Sequence, residues 1–188
     1  MKSFARNALV ALTAVATTVS VAAPVDADVA GYKDKRGDVN GQVDISFVRI
    51  DNTGRWIDIR SHHRNLTYGP HAPGGGASVF IDTIRNRRGP EFIIAGPVGS
   101  DGDYHLSKIR GWDHFGRSPS CKVVYRVNYK ADVVRFAAPR RCLARAYHHR
   151  VGTIRASVRI TQTNPHGPGS LTDWAPRRHG FYRGVPRA

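Results

Sequence analysis

The sequence predicts an all-β protein, a single antiparallel β-sandwich of about eight short strands, with a closed barrel as the alternative. Three observations support this fold class. Short runs alternate β-branched or aromatic residues with polar ones, and clusters of Gly, Asn, Asp and Pro separate the runs. No segment keeps a helical period of 3.6 residues, and residues 143–149 could form at most two helical turns.

Five of the expected strands precede the first cysteine. Residues 44–51 and 55–63 are joined at 52–54 by Asn-Thr-Gly, which is a hairpin turn signal. After a long loop that ends in three glycines, further strands are predicted at residues 77–84, 91–95 and 104–109.

The two cysteines of the chain close a predicted hairpin. Two β-rich runs lie between Cys121 and Cys142, and they meet at a polar turn around Ala131 and Asp132. Folding the chain about this turn brings the cysteines opposite each other, and a disulfide needs Cα atoms roughly 4.4–6.8 Å apart. The sequence therefore predicts a disulfide, with two free buried thiols as the alternative. A last strand is predicted at residues 151–161.

The organisation of the chain indicates an exported protein with one domain. Residues 1–27 have the charged start, the uncharged apolar stretch and the small residues before a cleavage point that are typical of a signal peptide. Residues 28–162 are expected to form the sandwich, beginning with an irregular arm. Residues 163–188, rich in Pro, Gly and Arg, are expected to form a tail that is packed on the domain or partly disordered. No transmembrane segment is expected in the mature chain.

Positive charge is concentrated in the second half of the chain. Residues 28–103 contain 10 basic and 10 acidic residues, whereas residues 104–188 contain 17 basic residues and 3 acidic ones. Such an excess attracts anionic polysaccharides or wall polymers, although a plain solvated surface is the alternative. Nucleic acid is disfavoured because no motif for it is present. The candidate anion-binding residues are Arg126, Arg140, Arg141, Arg145, Arg150, Arg155 and Arg159.

A cluster of oxygen-bearing side chains near the start of the domain is a candidate calcium site. Carboxylate and amide oxygens on a bent loop suit Ca²⁺, but the spacing is not that of an EF-hand. Asp and Asn also stabilise turns, which is the alternative explanation. No other metal site and no cofactor motif is predicted. The four residues of the cluster are Asp34, Asp38, Asn40 and Asp44.

The sequence contains no catalytic motif. There is no G-x-S-x-G turn, and Glu91 is the only glutamate. We therefore expect a non-catalytic binding protein. The alternatives are an extracellular hydrolase that uses Asp and His residues, and a structural or protein-interaction module.

Several short motifs carry a resemblance to a known family. They are Gly37-Asp38-Val39, Asp44-Ile45, Val48-Arg49-Ile50-Asp51-Asn52-Thr53 and Ala138-Pro139-Arg140-Arg141-Cys142-Leu143. With these motifs the chain resembles a family of small exported proteins of actinobacteria. The resemblance implies a secreted β-sandwich with one disulfide and no assigned activity.

Overall fold

The computed structural model describes residues 29–41 and 43–187, so the predicted signal peptide at residues 1–27 lies outside the described residues. Two antiparallel sheets form the body, and they stay separate instead of closing into a barrel, which confirms the predicted sandwich. In chain order the elements are β1 (Val29–Lys33), β2 (Ile45–Asp51), β3 (Trp56–His63), β4 (Gly75–Asp82), β5 (Phe92–Val98), β6 (His105–Arg110), β7 (His114–Phe115), β8 (Val124–Asn128), β9 (Val133–Pro139), α1 (Arg140–Tyr147), β10 (Arg155–Thr163) and β11 (Ser170–Ala175).

The alternation of residue types places the apolar side chains between the sheets. The five-stranded sheet has the order β1-β2-β3-β9-β8, and Ile50, Ile59 and Phe136 lie opposite one another on its inner face. The six-stranded sheet has the order β11-β10-β4-β5-β6-β7, with Val79 opposite Val158 on its inner face. All five are buried. Each such side chain contributes roughly 1.5–3 kcal/mol when removed from water, so this layer is the main source of stability.

A second, smaller core lies on the outer face of the six-stranded sheet. Phe80, Ile93 and Ile109 are buried there, and Trp112 and Trp174 pack against them. The two tryptophan rings meet edge to face with centroids 5.8 Å apart. Loops therefore cover the side of this sheet that faces away from the other sheet.

Both ends of the described chain contribute edge strands. β1 pairs with β2, within the segment for which the sequence indicates an irregular arm. β11 pairs with β10, within the segment that the sequence assigns to a tail. An edge strand has a neighbour on one side only and contributes fewer buried side chains, so its apolar pattern is weak.

The predicted hairpin and its disulfide are present. β8 and β9 pair antiparallel, and Asp132 adopts a positive φ of 55° in the turn between them. Cys121 and Cys142 are bonded, with Cα atoms 6.2 Å apart. Cys142 lies in α1, directly after β9, so the bridge ties the start of the hairpin to the helix.

Helix α1 begins where β9 can no longer continue as a strand. Pro139 is the last residue of β9 and the N-cap of the helix, and its missing N–H ends the ladder to β3. The following residues are good helix formers, and His148 ends the helix in the left-handed region with φ 51°. In the part of the chain that the structure describes, no helix has both the length and the apolar character needed to cross a membrane.

Candidate anion-binding site

A pocket of about 700 Å³ opens where β9 passes into α1. The turn between β2 and β3, the first residues of the helix and the loop after it line this pocket, together with the chain near residue 187. Half of its ten lining residues are arginines, and none is acidic. We call it the arginine pocket, and its arginines are Arg55, Arg140, Arg141, Arg150 and Arg187.

Arg140 is the buried charge of the arginine pocket. Only 7% of its surface is exposed. Its Nη2 donates to the backbone oxygen and to the Oδ1 of Asn52, both at 2.7 Å. Its Nε donates to the backbone oxygen of Gly54, and its Nη1 donates to the backbone oxygen of Val151, each at 3.1 Å. All four acceptors are uncharged, so the positive charge is solvated but not neutralised.

The environment of Arg140 disfavours its charged form. Burial lowers the pKa of Arg140, and the nearby positive charge of Arg187 lowers it further. An arginine keeps its proton in proteins despite such shifts. The guanidinium of Arg140 therefore stays charged in surroundings that disfavour the charge.

The other four guanidinium groups of the pocket are exposed. None of them lies within 4.0 Å of a carboxylate in the described part of the chain. The ion pairs found there involve only the carboxylates of Asp58 and Asp82, which pair with other arginines. The N-terminus of α1 adds to the positive potential, because it has no side-chain cap and no acidic residue in its first turn. The pocket thus concentrates positive charge without internal compensation.

Trp56 lies at the edge of the arginine pocket. It is the first residue of β3 and is 43% exposed. The ring also lines a shallow hollow on the outer face of the five-stranded sheet, together with Arg135 and the carboxylates Asp51 and Asp58. An indole beside guanidinium groups offers a flat surface for a sugar ring or another planar group.

A row of arginines crosses the outer face of the same sheet. The register places them directly opposite one another on four neighbouring strands, about 4.8 Å apart from strand to strand. Like charges in such positions destabilise a sheet. In order from β2 to β3, β9 and β8, this arginine row consists of Arg49, Arg60, Arg135 and Arg126.

One carboxylate partly neutralises the arginine row. Asp58 accepts from Nε of Arg60 at 3.1 Å and from Nη2 of Arg135 at 2.5 Å. The other two members of the row, Arg49 and Arg126, are exposed and make no ion pair with the residues that the structure describes. The row therefore keeps a net positive charge.

No protein-family model matches this chain, and no curated protein matches it. Its candidate site is therefore interpreted from geometry and charge alone. Of the residues predicted from the sequence to bind anions, Arg140, Arg141 and Arg150 lie in the arginine pocket, and Arg126 belongs to the arginine row.

The remaining three predicted anion-binding residues lie elsewhere. Arg145 lines a separate hollow of about 300 Å³ beside the disulfide. Arg155 forms an ion pair with Asp82 and donates to it from Nε at 2.6 Å. Arg159 packs over the rings of Phe80 and Trp174, so part of its surface serves the outer core.

Sequence reasoning missed five arginines of the two sites. Arg55 and Arg187 lie far apart in the chain, and only the fold brings them to one pocket. Arg49, Arg60 and Arg135 fall in the row because of strand register. Pairing the predicted strands about the turn at residues 52–54 would have placed Arg49 opposite Ile57, whereas the observed register places it opposite Arg60.

The predicted calcium residues lie near one end of β11. Asp38 and Asp44 come together with Asp173, which the sequence did not suggest. Asp34 lies close to this group, and burial, followed by the charges of Asp173, Asp38 and Asp44, raises its pKa to about 6. The side chain of Asn40 is exposed.

Proposed function

We propose that this protein is a secreted, non-catalytic module that binds an anionic polymer outside the cell through the arginine pocket and the arginine row. The observation that carries the proposal is the buried charge of Arg140, which has only neutral hydrogen-bond partners and lies beneath four exposed arginines. Such an arrangement lowers stability, because positive charges that no carboxylate neutralises repel one another.

An anion in the pocket would offset this repulsion. Guanidinium groups bind sulfate, phosphate and carboxylate groups with paired, charge-assisted hydrogen bonds. The concave shape excludes part of the water and strengthens the field at the centre. Arg140 acts here as a fixed charge, because the carbonyl groups around it already accept four of its hydrogen bonds.

The arginine row favours a polymer over a small ion. It continues the positive surface across four strands, and Trp56 lies between it and the pocket. Three inter-strand steps span about 14 Å, which is the length of a few sugar units or charged repeats. A chain that carries regularly spaced anionic groups would contact both sites at once and gain affinity from the combination.

The test uses heparin as a sulfated polysaccharide probe and neutral dextran as its uncharged counterpart. We expect the protein to bind heparin and not dextran in titration calorimetry, with affinity falling steeply from roughly 50 to 500 mM NaCl because salt screens charges. The double variant Arg141→Gln, Arg187→Gln should bind heparin at least tenfold more weakly, which corresponds to about 1.4 kcal/mol.

A matched control removes two exposed arginines outside both sites. Arg85 and Arg88 lie in the loop between β4 and β5, and neither forms an ion pair with a described residue. We expect Arg85→Gln, Arg88→Gln to weaken binding less than threefold. Equal losses in the two double variants would show that binding depends on overall charge and would contradict a specific site.

A further inference from the structure

Three carboxylates converge at the seam between the two sheets. The ligand oxygens of Asp38, Asp44 and Asp173 all lie within 4.8 Å of one another. Asp38 and Asp44 belong to the segment that leads into β2 of the five-stranded sheet, and Asp173 lies in β11 of the six-stranded sheet. Residues about 130 positions apart in the chain thus form one cluster.

Two of these carboxylates are buried and have no cationic partner. Asp44 is 2% exposed and Asp173 is 4% exposed. Asp44 accepts from the amide of Gly37 at 2.8 Å, and Asp173 accepts from the amides of Ile45 at 2.7 Å and Trp174 at 2.6 Å. No Lys, Arg or His of the described chain lies within 4.0 Å of them as an ion pair.

An unsatisfied buried hydroxyl lies within electrostatic range of the same cluster. Tyr182 is 8% exposed, and its Oη has no hydrogen-bond partner among the described residues. Burial raises the pKa of Tyr182, and the negative charges of Asp34 and Asp173 raise it further, so both carboxylates act on this hydroxyl electrostatically. Oδ2 of Asp34 is likewise buried without a partner. Buried polar atoms rarely lack a partner in native proteins, and an ion with its water completes such sites.

We propose that Asp38, Asp44 and Asp173 bind one Ca²⁺ ion, with Asp34 and the hydroxyl of Tyr182 contacting its water shell. Ca²⁺ takes six to eight oxygen ligands at about 2.3–2.6 Å, so ligands on opposite sides of the ion lie up to about 5 Å apart. The spacing of the three carboxylates fits this limit. The set contains only oxygen ligands, which favours Ca²⁺ over Zn²⁺.

The site has a route to solvent. Asp44 also lines a cavity of about 620 Å³, and Asp38 is exposed. Arg36 and Arg64 line the same cavity, but neither forms an ion pair with the cluster. An ion can therefore enter and leave the folded protein.

The ion would join the edges of the two sheets. The hydrogen bond from the amide of Ile45 to Asp173 already crosses this seam. A cation held by ligands from both sides adds a second connection and removes the repulsion between the carboxylates. This proposal concerns a different part of the molecule from the arginine pocket and does not depend on it.

The test titrates Ca²⁺ into the chelator-treated full chain. We expect one ion per chain in calorimetry and a rise in Tm of several degrees at saturation, because a ligand that binds only the folded state stabilises it. Mg²⁺ should raise Tm less at the same concentration, since it demands a tighter octahedral site. A Tm that does not change with millimolar Ca²⁺ would overturn the proposal.

The informative variant is Asp38→Asn, because Asp38 is exposed and its replacement leaves the two buried carboxylates in place. We expect it to bind Ca²⁺ at least tenfold more weakly than the unmodified chain. Asp103→Asn, which removes an exposed carboxylate elsewhere, should bind Ca²⁺ with unchanged affinity. Unchanged binding by Asp38→Asn, or equal losses in both variants, would contradict a site at this cluster.

Discussion

Arg140 and Asn52 hold each other in one orientation at the floor of the arginine pocket. Nη2 of Arg140 donates to both oxygens of Asn52 at 2.7 Å. The side-chain nitrogen Nδ2 of Asn52 in turn donates to the backbone oxygens of Gly152 at 2.8 Å and Val185 at 2.7 Å. One buried asparagine therefore connects the β2–β3 turn, the helix, the loop after it and the C-terminal segment.

Replacing Asn52 should destabilise the fold. In Asn52→Ala, Arg140 loses one acceptor, the carbonyl of Gly152 loses the Asn52 donor, and the carbonyl of Val185 keeps only the amide of Ile154 as a donor. A buried polar group that loses its partner costs about 1–3 kcal/mol. We expect the free energy of unfolding in urea to fall by about 3 kcal/mol. Asn86→Ala, at an exposed loop position, should change it by less than about 0.5 kcal/mol. Similar stability of both variants would show that the buried network contributes little.

Replacing Asp58 should lower the stability of the protein and raise its affinity for heparin. Asp58 is the carboxylate that neutralises part of the arginine row, through pairs with Arg60 and Arg135 that remain partly exposed. Asp58→Asn should lower the free energy of unfolding by about 1 kcal/mol, since partly exposed pairs contribute little. It should also increase heparin affinity about threefold, because the row gains net positive charge. A heparin affinity that falls or stays constant would exclude the row from the binding surface.

Glu91 should make stability depend on pH. It is fully buried; Oε2 accepts from the amide of Thr83 at 2.7 Å, and Oε1 has no partner among the described residues. Burial, assisted by the nearby charge of Asp82, raises its pKa from 4.5 to about 7, although the Thr83 amide opposes this shift. Asp82 is itself paired with Arg155.

The sign of the Glu91 effect follows from the higher pKa in the folded state. Between pH 4.5 and about 7 the folded protein holds a proton that the unfolded chain has lost. The stabilisation from this group is therefore complete below pH 4.5 and is lost as the pH rises to about 7, with a slope of up to about 1.4 kcal/mol per unit. Glu91→Gln should remove this slope, as urea unfolding at several pH values would show. Parallel pH profiles for both proteins would contradict the prediction.

The disulfide should contribute substantially to stability. Its cysteines are 21 residues apart, and a loop of this size is worth about 3 kcal/mol in the chain-entropy treatment. We expect Cys121→Ala, Cys142→Ala to lose about that much free energy of unfolding. Addition of a reductant should destabilise the unmodified protein and leave the double variant unchanged. A reductant effect of equal size on both proteins would indicate a cause other than this bond.

The strands of the core could be predicted because their pattern reflects burial on one face. The runs around Ile50, Ile59 and Val158 alternate apolar and polar residues, and all three are buried between the sheets. β1 and β11 could not be predicted in this way, because their sequences VAGYK and SLTDWA do not alternate apolar and polar residues. The sequence limits any helix at residues 143–149 to two turns, and the observed helix begins at Arg140 because Pro139 ends the preceding strand.

The candidate sites depend on contacts between distant residues. Arg140 and Arg141 are visible in the sequence as basic residues, but nothing local indicates that Arg55 and Arg187 join them. The calcium cluster shows the same limit, since Asp173 lies far from Asp38 in the chain.

The sequence by itself determined the all-β class, the paired cysteines and the excess of positive charge in the second half. These properties depend on residue type and local spacing alone. Alternating apolar residues indicate strands with one buried face, and the numbers of basic and acidic residues give the charge. Only the tertiary structure decided which charges meet. Strand register aligned Arg49, Arg60, Arg135 and Arg126, and sheet packing brought Asp173 to Asp44. The residues in each contact are separated along the chain, so residue type and local spacing do not show that they meet.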